Sequence, residues 1–172
     1  MRRLFGLALT LAMLAAFAVV PAHAQAPPGC PEPVPGQTYT CTVHMSGGTQ
    51  TMPVAPIVCP DGSTVPGGLI TITINNGVFH ITINKAGDLW DTGTIEGTFV
   101  FVADTGLTYT GHFTQWFGDS VNNQNEVHHF TASFVGRAPN GSRVSVHFDF
   151  HISTSATPSG PANVVVFDKV HC

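Results

Sequence analysis

Charge is scarce in this chain. Six Lys and Arg stand against ten Asp and Glu in 172 residues. Beyond residue 24 only Lys85, Arg137, Arg143 and Lys169 remain as fixed cations. Four scattered cations build no phosphate-binding surface, which excludes nucleic acid as a partner. Helical periodicity is missing as well, since no window after the first apolar run repeats apolar residues at helical spacing. No Cys-x-x-Cys pair marks a structural zinc site or a redox centre. No later apolar run approaches bilayer-spanning length, so no membrane span is expected once the first is removed. No Ser, Cys or Lys stands in a recognisable nucleophile setting, so the reading leans away from catalysis.

What is present begins with a leader. Met1-Arg2-Arg3 is cationic, Leu4 to Val20 is apolar or small, and Ala22-His23-Ala24 carries the small-x-small cleavage pattern. The sequence predicts a signal peptide over 1–24, cleaved after Ala24, and a secreted mature protein. Cleavage removes two arginines from a chain whose formal net charge is already −4. Residues 25–37 form a Pro-rich entry segment, and 38–172 are expected to make a single domain.

That domain reads as β structure almost throughout. In Ile70 to Asn84, apolar residues alternate with Thr, Asn and His on both sides of Asn76-Gly77. The dipeptide predicts a type I′ hairpin turn that pairs Ile74 with Phe79, Ile72 with Ile81 and Ile70 with Ile83. Tyr39 to Met45 alternates in the same way, Ser46-Gly47-Gly48 reads as a turn, and Pro53 and Pro56 confine the next strand to an edge. Asp104-Thr105-Gly106 fits a three-residue hairpin loop that sets Phe99 opposite Gly111 and Gly97 opposite Phe113. Long alternating runs continue through Phe130–Val135 and Arg143–Ser153, and a last strand is expected over Val164 to Val170. Strands joined mostly by hairpins predict an antiparallel up-and-down β-barrel of about eight strands, with a two-sheet β-sandwich as the alternative.

Four cysteines in an exported chain imply two disulfides, with three possible connectivities. Cys59–Cys172 closes the longest loop and is preferred, which leaves Cys30–Cys41.

Three groups of residues bear on function. His147, Asp149 and His151 share one face of a strand, and the Pro139-Asn140-Gly141 hairpin brings His129 beside them. Such a set could ligate zinc or copper in a metal-dependent enzyme, or simply populate a polar face; no cofactor is required. Gln115, Gln124, Glu126 and His128 come next. If Gly118 to Asn123 is a loop, Gln115 faces Glu126 and Phe113 faces His128, a polar mouth above a Phe-lined interior suited to a small apolar ligand. Trp116, on the polar face with His112 and Thr114, joins Trp90 and the amide run Asn122 to Asn125 in suggesting a carbohydrate-binding module or a cell-surface glycan partner. Gly118-Asp119-Ser120-Val121 and Asp168-x-x-His171 match fragments of an esterase pattern, but that chemistry needs a strand-to-helix turn absent from a chain with no helices. The leading expectation is a secreted, non-enzymatic binding or cell-surface interaction protein.

The runs Gly77 to Gly87, Tyr109 to Gly118 and Phe167-Asp168-Lys169 resemble a group of small exported bacterial proteins of no known activity. The likeness covers roughly Cys59 to Cys172 and implies export and one β domain. It also implies the Cys59–Cys172 pairing.

Overall fold

The computed structural model describes residues 30–32, 34, 36–122, 124–157 and 160–172. The leader and the first residues of the Pro-rich segment lie outside these. Among the described residues ten antiparallel strands follow in order: β1 (Tyr39–Met45), β2 (Thr49–Val54), β3 (Ile57–Val58), β4 (Thr64–Val65), β5 (Gly68–Ile83), β6 (Leu89–Ala103), β7 (Thr108–Val121), β8 (Asn125–Arg137), β9 (Arg143–Thr157) and β10 (Gly160–His171). The main sheet runs β1-β5-β6-β7-β8-β9-β10, with β2 also on β5, while β3 and β4 make a separate two-stranded piece. From β5 onward each strand pairs with its neighbour in sequence. That is the expected meander.

Closure is not shown. Among the described residues no ladder joins β10 to β1 or β2. The sheet instead coils over its own apolar face, an arrangement that the two-sheet alternative fits. Phe79 on β5 meets Phe117 on β7 with ring centroids 5.3 Å apart, and Phe99 on β6 meets Phe134 on β8 at 5.8 Å. Strands two places apart in a sheet lie about 9.6 Å apart, so the two rings of each pair reach over the strand between them to meet. Glycine permits it. A Cβ on Gly93 would sit 3.0 Å from the Phe79 ring and closer still to Phe117. As expected, Gly97 lies opposite Phe113 and Gly111 opposite Phe99.

The expected Asn76-Gly77 hairpin does not form. Gly77 takes no positive φ, and β5 runs straight through as one strand of 16 residues. Ile74 pairs with Gly97 and Asn76 with Glu96, which leaves Asn75 as an extra residue. This is a β-bulge, and it flips the alternation: Ile70, Ile72 and Ile74 share a face with Gly77, Phe79, Ile81 and Ile83. Ser46-Gly47-Gly48 is not a reversal either. β1 pairs with the second half of β5 and β2 with the first half, so both run along the same edge in one direction. Gly47 (φ 82°) donates to the Ile74 carbonyl at 2.8 Å and keeps the ladder continuous through the step. The edge placement predicted from Pro53 holds.

Elsewhere the hairpins follow the sequence. Gly106 takes φ 85°, and the Ala103 N–H donates to the Leu107 carbonyl as a three-residue loop requires. Gly141 (φ 86°) turns β8 into β9. Both disulfides have the expected pairing, Cys30–Cys41 and Cys59–Cys172. The second spans 113 residues, worth about 4–5 kcal/mol on the loop-entropy model.

The apolar face forms one main cluster around Ile72, Phe99, Phe101, Phe113, Val144 and Val146. Phe113 is 1% exposed and is the largest fully buried side chain. Phe130, Ala132 and Phe150 extend the packing towards the other end, bridged by Phe117, Phe134 and Phe148.

Candidate functional site

The β7–β8 hairpin decides which polar residues meet. The Asn122 side chain accepts from the Gln124 and Asn125 N–H groups, at 2.9 and 2.8 Å, and its own N–H donates to the Asn125 carbonyl at 2.9 Å, so the turn is tight. Gly118 to Val121, expected as loop, are strand instead. The register therefore differs from expectation. Gln115 pairs with Ala132, Phe113 with Phe134, and Glu126 with Val121. The mouth of Gln115, Gln124, Glu126 and His128 is not assembled as a unit. Gln115 is buried beside Ala132, Gln124 is exposed at the turn, and only Glu126 and His128 meet.

A different partner joins them. His128 lies opposite Asp119 on β7, and Asp119 lies opposite Asp91 on β6. These side chains continue the apolar face, in step with Phe117, Val121 and Phe130. The His128 Nδ1–H donates to Asp119 at 2.8 Å and the Nε2–H to Glu126 at 2.7 Å, a geometry that suits the imidazolium. Burial pushes the His128 pKa down, but hydrogen bonds and charge from Asp119 and Glu126 outweigh it, and the net shift is upward. Asp91 has one buried carboxylate oxygen without a hydrogen-bond partner among the described residues. Burial first, then the charge of Asp119, push its pKa to about 6, with His80 opposing. Asp91 was not singled out from the sequence, and Asp119 appeared there only within the esterase-like fragment. Their signal was positional: each falls on the apolar phase of its strand.

The opposite face carries Thr, Ser and His. His129 pairs with His151 across the ladder, and its Nε2–H donates to Asp149 at 3.2 Å. His147 stands on another rung, its ring 6.2 Å from that of His171. Thus His129, Asp149 and His151 come together and His147 does not join them. Among the described residues, no group of three or more His, Cys, Asp or Glu is placed to hold a metal ion. Ser120, Asp168 and His171 of the esterase-like fragments lie within strands, with Ser120 and His171 on strands β7 and β10, three places apart.

Across this polar face runs a groove of about 380 Å³. One rung of it is Asn76, Glu96, Thr114, Ser133 and His147, contributed by five successive strands. The next rung adds Thr94, Trp116 and Thr131. Four inter-strand gaps of about 4.8 Å give it a length of about 19 Å. Trp116 is 38% exposed, and its ring is fixed from two sides. It lies over Gly118, where a Cβ would come within 3.0 Å of it, and it meets His129 edge-on with centroids 5.1 Å apart. Asn76 donates to Glu96 at 3.3 Å, so the acid is held on the groove floor. Ile95, Gln115 and Ala132 complete the lining from the rung between, and of all these residues Gln115, Trp116 and His147 stood out in the sequence.

No protein-family model, curated protein or solved structure matches the chain.

Proposed function

We propose that this is a secreted, non-enzymatic binding protein whose working surface is the polar face of the sheet and whose ligand is a glycan. The observation that carries the reading is the groove beside Trp116. A fixed indole offers an apolar face to a sugar ring, while Thr94, Thr114, Thr131, Ser133, Asn76 and Glu96 supply donors and acceptors for its hydroxyls. Its length of about 19 Å suits an oligosaccharide better than a single sugar. The other face is less open to a ligand: Phe99, Phe101 and Phe150 are 3–4% exposed and belong to packed clusters. Export agrees with the leader and with two disulfides, which persist in oxidising compartments.

The barrel form of the fold belongs with this proposal. Cys59–Cys172 and the packing of Val170 in the same cluster as Met52 and Val54 draw the two sheet edges together at one end. Slow hydrogen exchange at β10 amides that face away from β9 would indicate closure, and fast exchange would exclude it.

A glycan array probed with residues 25–172, followed by titration with a bound oligosaccharide, tests the function. Binding should quench Trp fluorescence and weaken at least tenfold in Trp116→Ala, as expected for loss of one stacking platform of about 1.5 kcal/mol. Binding that is indifferent to Trp116 would sink the groove as the site.

A further inference from the structure

The histidines are not distributed at random over this molecule. On the polar face, one rung carries His80, His129 and His151, and another carries His147 and His171. His44 and His112 occupy the same face on β1 and β7. Of the nine histidines in the chain, only His128 is described on the apolar face, and His23 lies in the leader. The carboxylates show the reverse distribution. Of ten, only Glu96 and Asp149 lie on the polar face. Asp91, Asp119 and Glu126 are on the other face, Glu32, Asp61, Asp88 and Asp104 are in loops, and Asp168 pairs with Phe150. The fixed cations of the polar face are Arg137, Arg143 and Lys169.

Resting on the glycan reading of this face, we propose that the ligand is an acidic polysaccharide and that acid strengthens its capture. Imidazole is the side chain whose charge changes most readily between pH 5 and 8. With neutral imidazoles, three fixed cations on the face oppose two carboxylates. Protonation places positive charge in the groove wall at His147 and against the Trp116 ring at His129, with His151 beside His129 and the other histidines farther out on the same face. The face then complements a polyanion, while the excess of acids elsewhere keeps the rest of the molecule repulsive to one. A neutral glycan would gain nothing from this arrangement.

The test measures binding of the mature chain to immobilised polygalacturonate and to neutral dextran, at pH 5.5 and pH 7.5 in low salt. Polygalacturonate should bind at least about tenfold tighter at pH 5.5, and 0.5 M salt should reverse most of the gain. Combined His129→Gln, His147→Gln and His151→Gln substitutions should remove most of the pH dependence without changing the melting temperature by more than a few degrees. His128→Gln, on the other face, should leave the pH dependence of binding in place. Equal binding of dextran and polygalacturonate at both pH values overturns the acidic ligand and spares the glycan reading. Binding at pH 7.5 that EDTA abolishes would overturn it too, by placing a metal between histidine and ligand. Binding to neither polymer, with no hit on the array, overturns both.

Discussion

The bulge at Asn75 divides the apolar face into two ends built by the same strands and the same alternation. The end towards Ile72, Phe99, Phe101 and Phe113 is a dry stack of rings and aliphatic chains, several of them under 5% exposed. The end towards Ile83, Asp91, Asp119 and His128 is half-buried, and three carboxylates and an imidazole occupy positions that alternation assigns to the core. Sheet geometry alone therefore does not set local stability. What fills the inward positions does, and here the first end carries most of the packing energy.

Deleting Asn75 should break the comparison outright. One residue fewer puts the two halves of β5 out of phase, so Gly77, Phe79, Ile81 and Ile83 would face solvent if the first half kept its place. The expected outcome is no cooperative unfolding transition by near-UV circular dichroism, whereas Asn75→Gly should fold. A stable deletion variant would mean that the bulge is dispensable.

Truncation compares the ends directly. Phe113→Ala should cost about 3–5 kcal/mol in chemical denaturation. Ile83→Ala, at a half-buried position in the polar end, should cost less than half as much. Equal costs would refute the division.

A smaller effect comes from titration. The raised pKa of Asp91 gives a contribution to stability that is full below 3.8 and lost as pH rises through about 6. His128 is also raised, so its contribution is full below 6.5 and lost as pH rises through its folded value. Both have the same sign, and the domain should be more stable near pH 5 than near pH 8. Asp91→Asn should recover about 1 kcal/mol at pH 8, solvent screening allowed for, and flatten the profile. A melting temperature that rises from pH 5 to pH 8 would contradict this.

The smallest stability effect should be Trp116→Ala on the outer face, within about 1 kcal/mol, although it removes a wall of the groove. A larger loss would make the indole a structural brace rather than a binding platform.

How much of this could be read beforehand differs from residue to residue. The strands and the Gly97–Phe113 and Gly111–Phe99 pairs follow from alternation and loop chemistry, which are local, while the disulfides follow from four cysteines and a preference for the longest closed loop. Asn76-Gly77 misled because a two-residue hairpin and a one-residue bulge change the phase of alternation in the same way. Only the partners on either side, β1–β2 and β6, distinguish them, and those are distant in sequence. Gly118 misled for a related reason: it reads as a turn, yet it is bare backbone beneath the Trp116 ring. Taking it as a turn displaced the β7–β8 register and hid the meeting of His128 with Asp119. The groove was invisible because its rung gathers one residue from each of five strands.

The meander has a mechanical consequence. Strands β5 to β10 each hold on to a neighbour in the chain, so tension applied at the β10 edge would peel the sheet one hairpin at a time, like a zipper. Cys59–Cys172 fastens the end of β10 to the loop beside β3. With that clasp intact, a pull between the two ends loads the covalent bond first and spares the ladders between. Reduced protein, by contrast, offers an edge from which unravelling can begin.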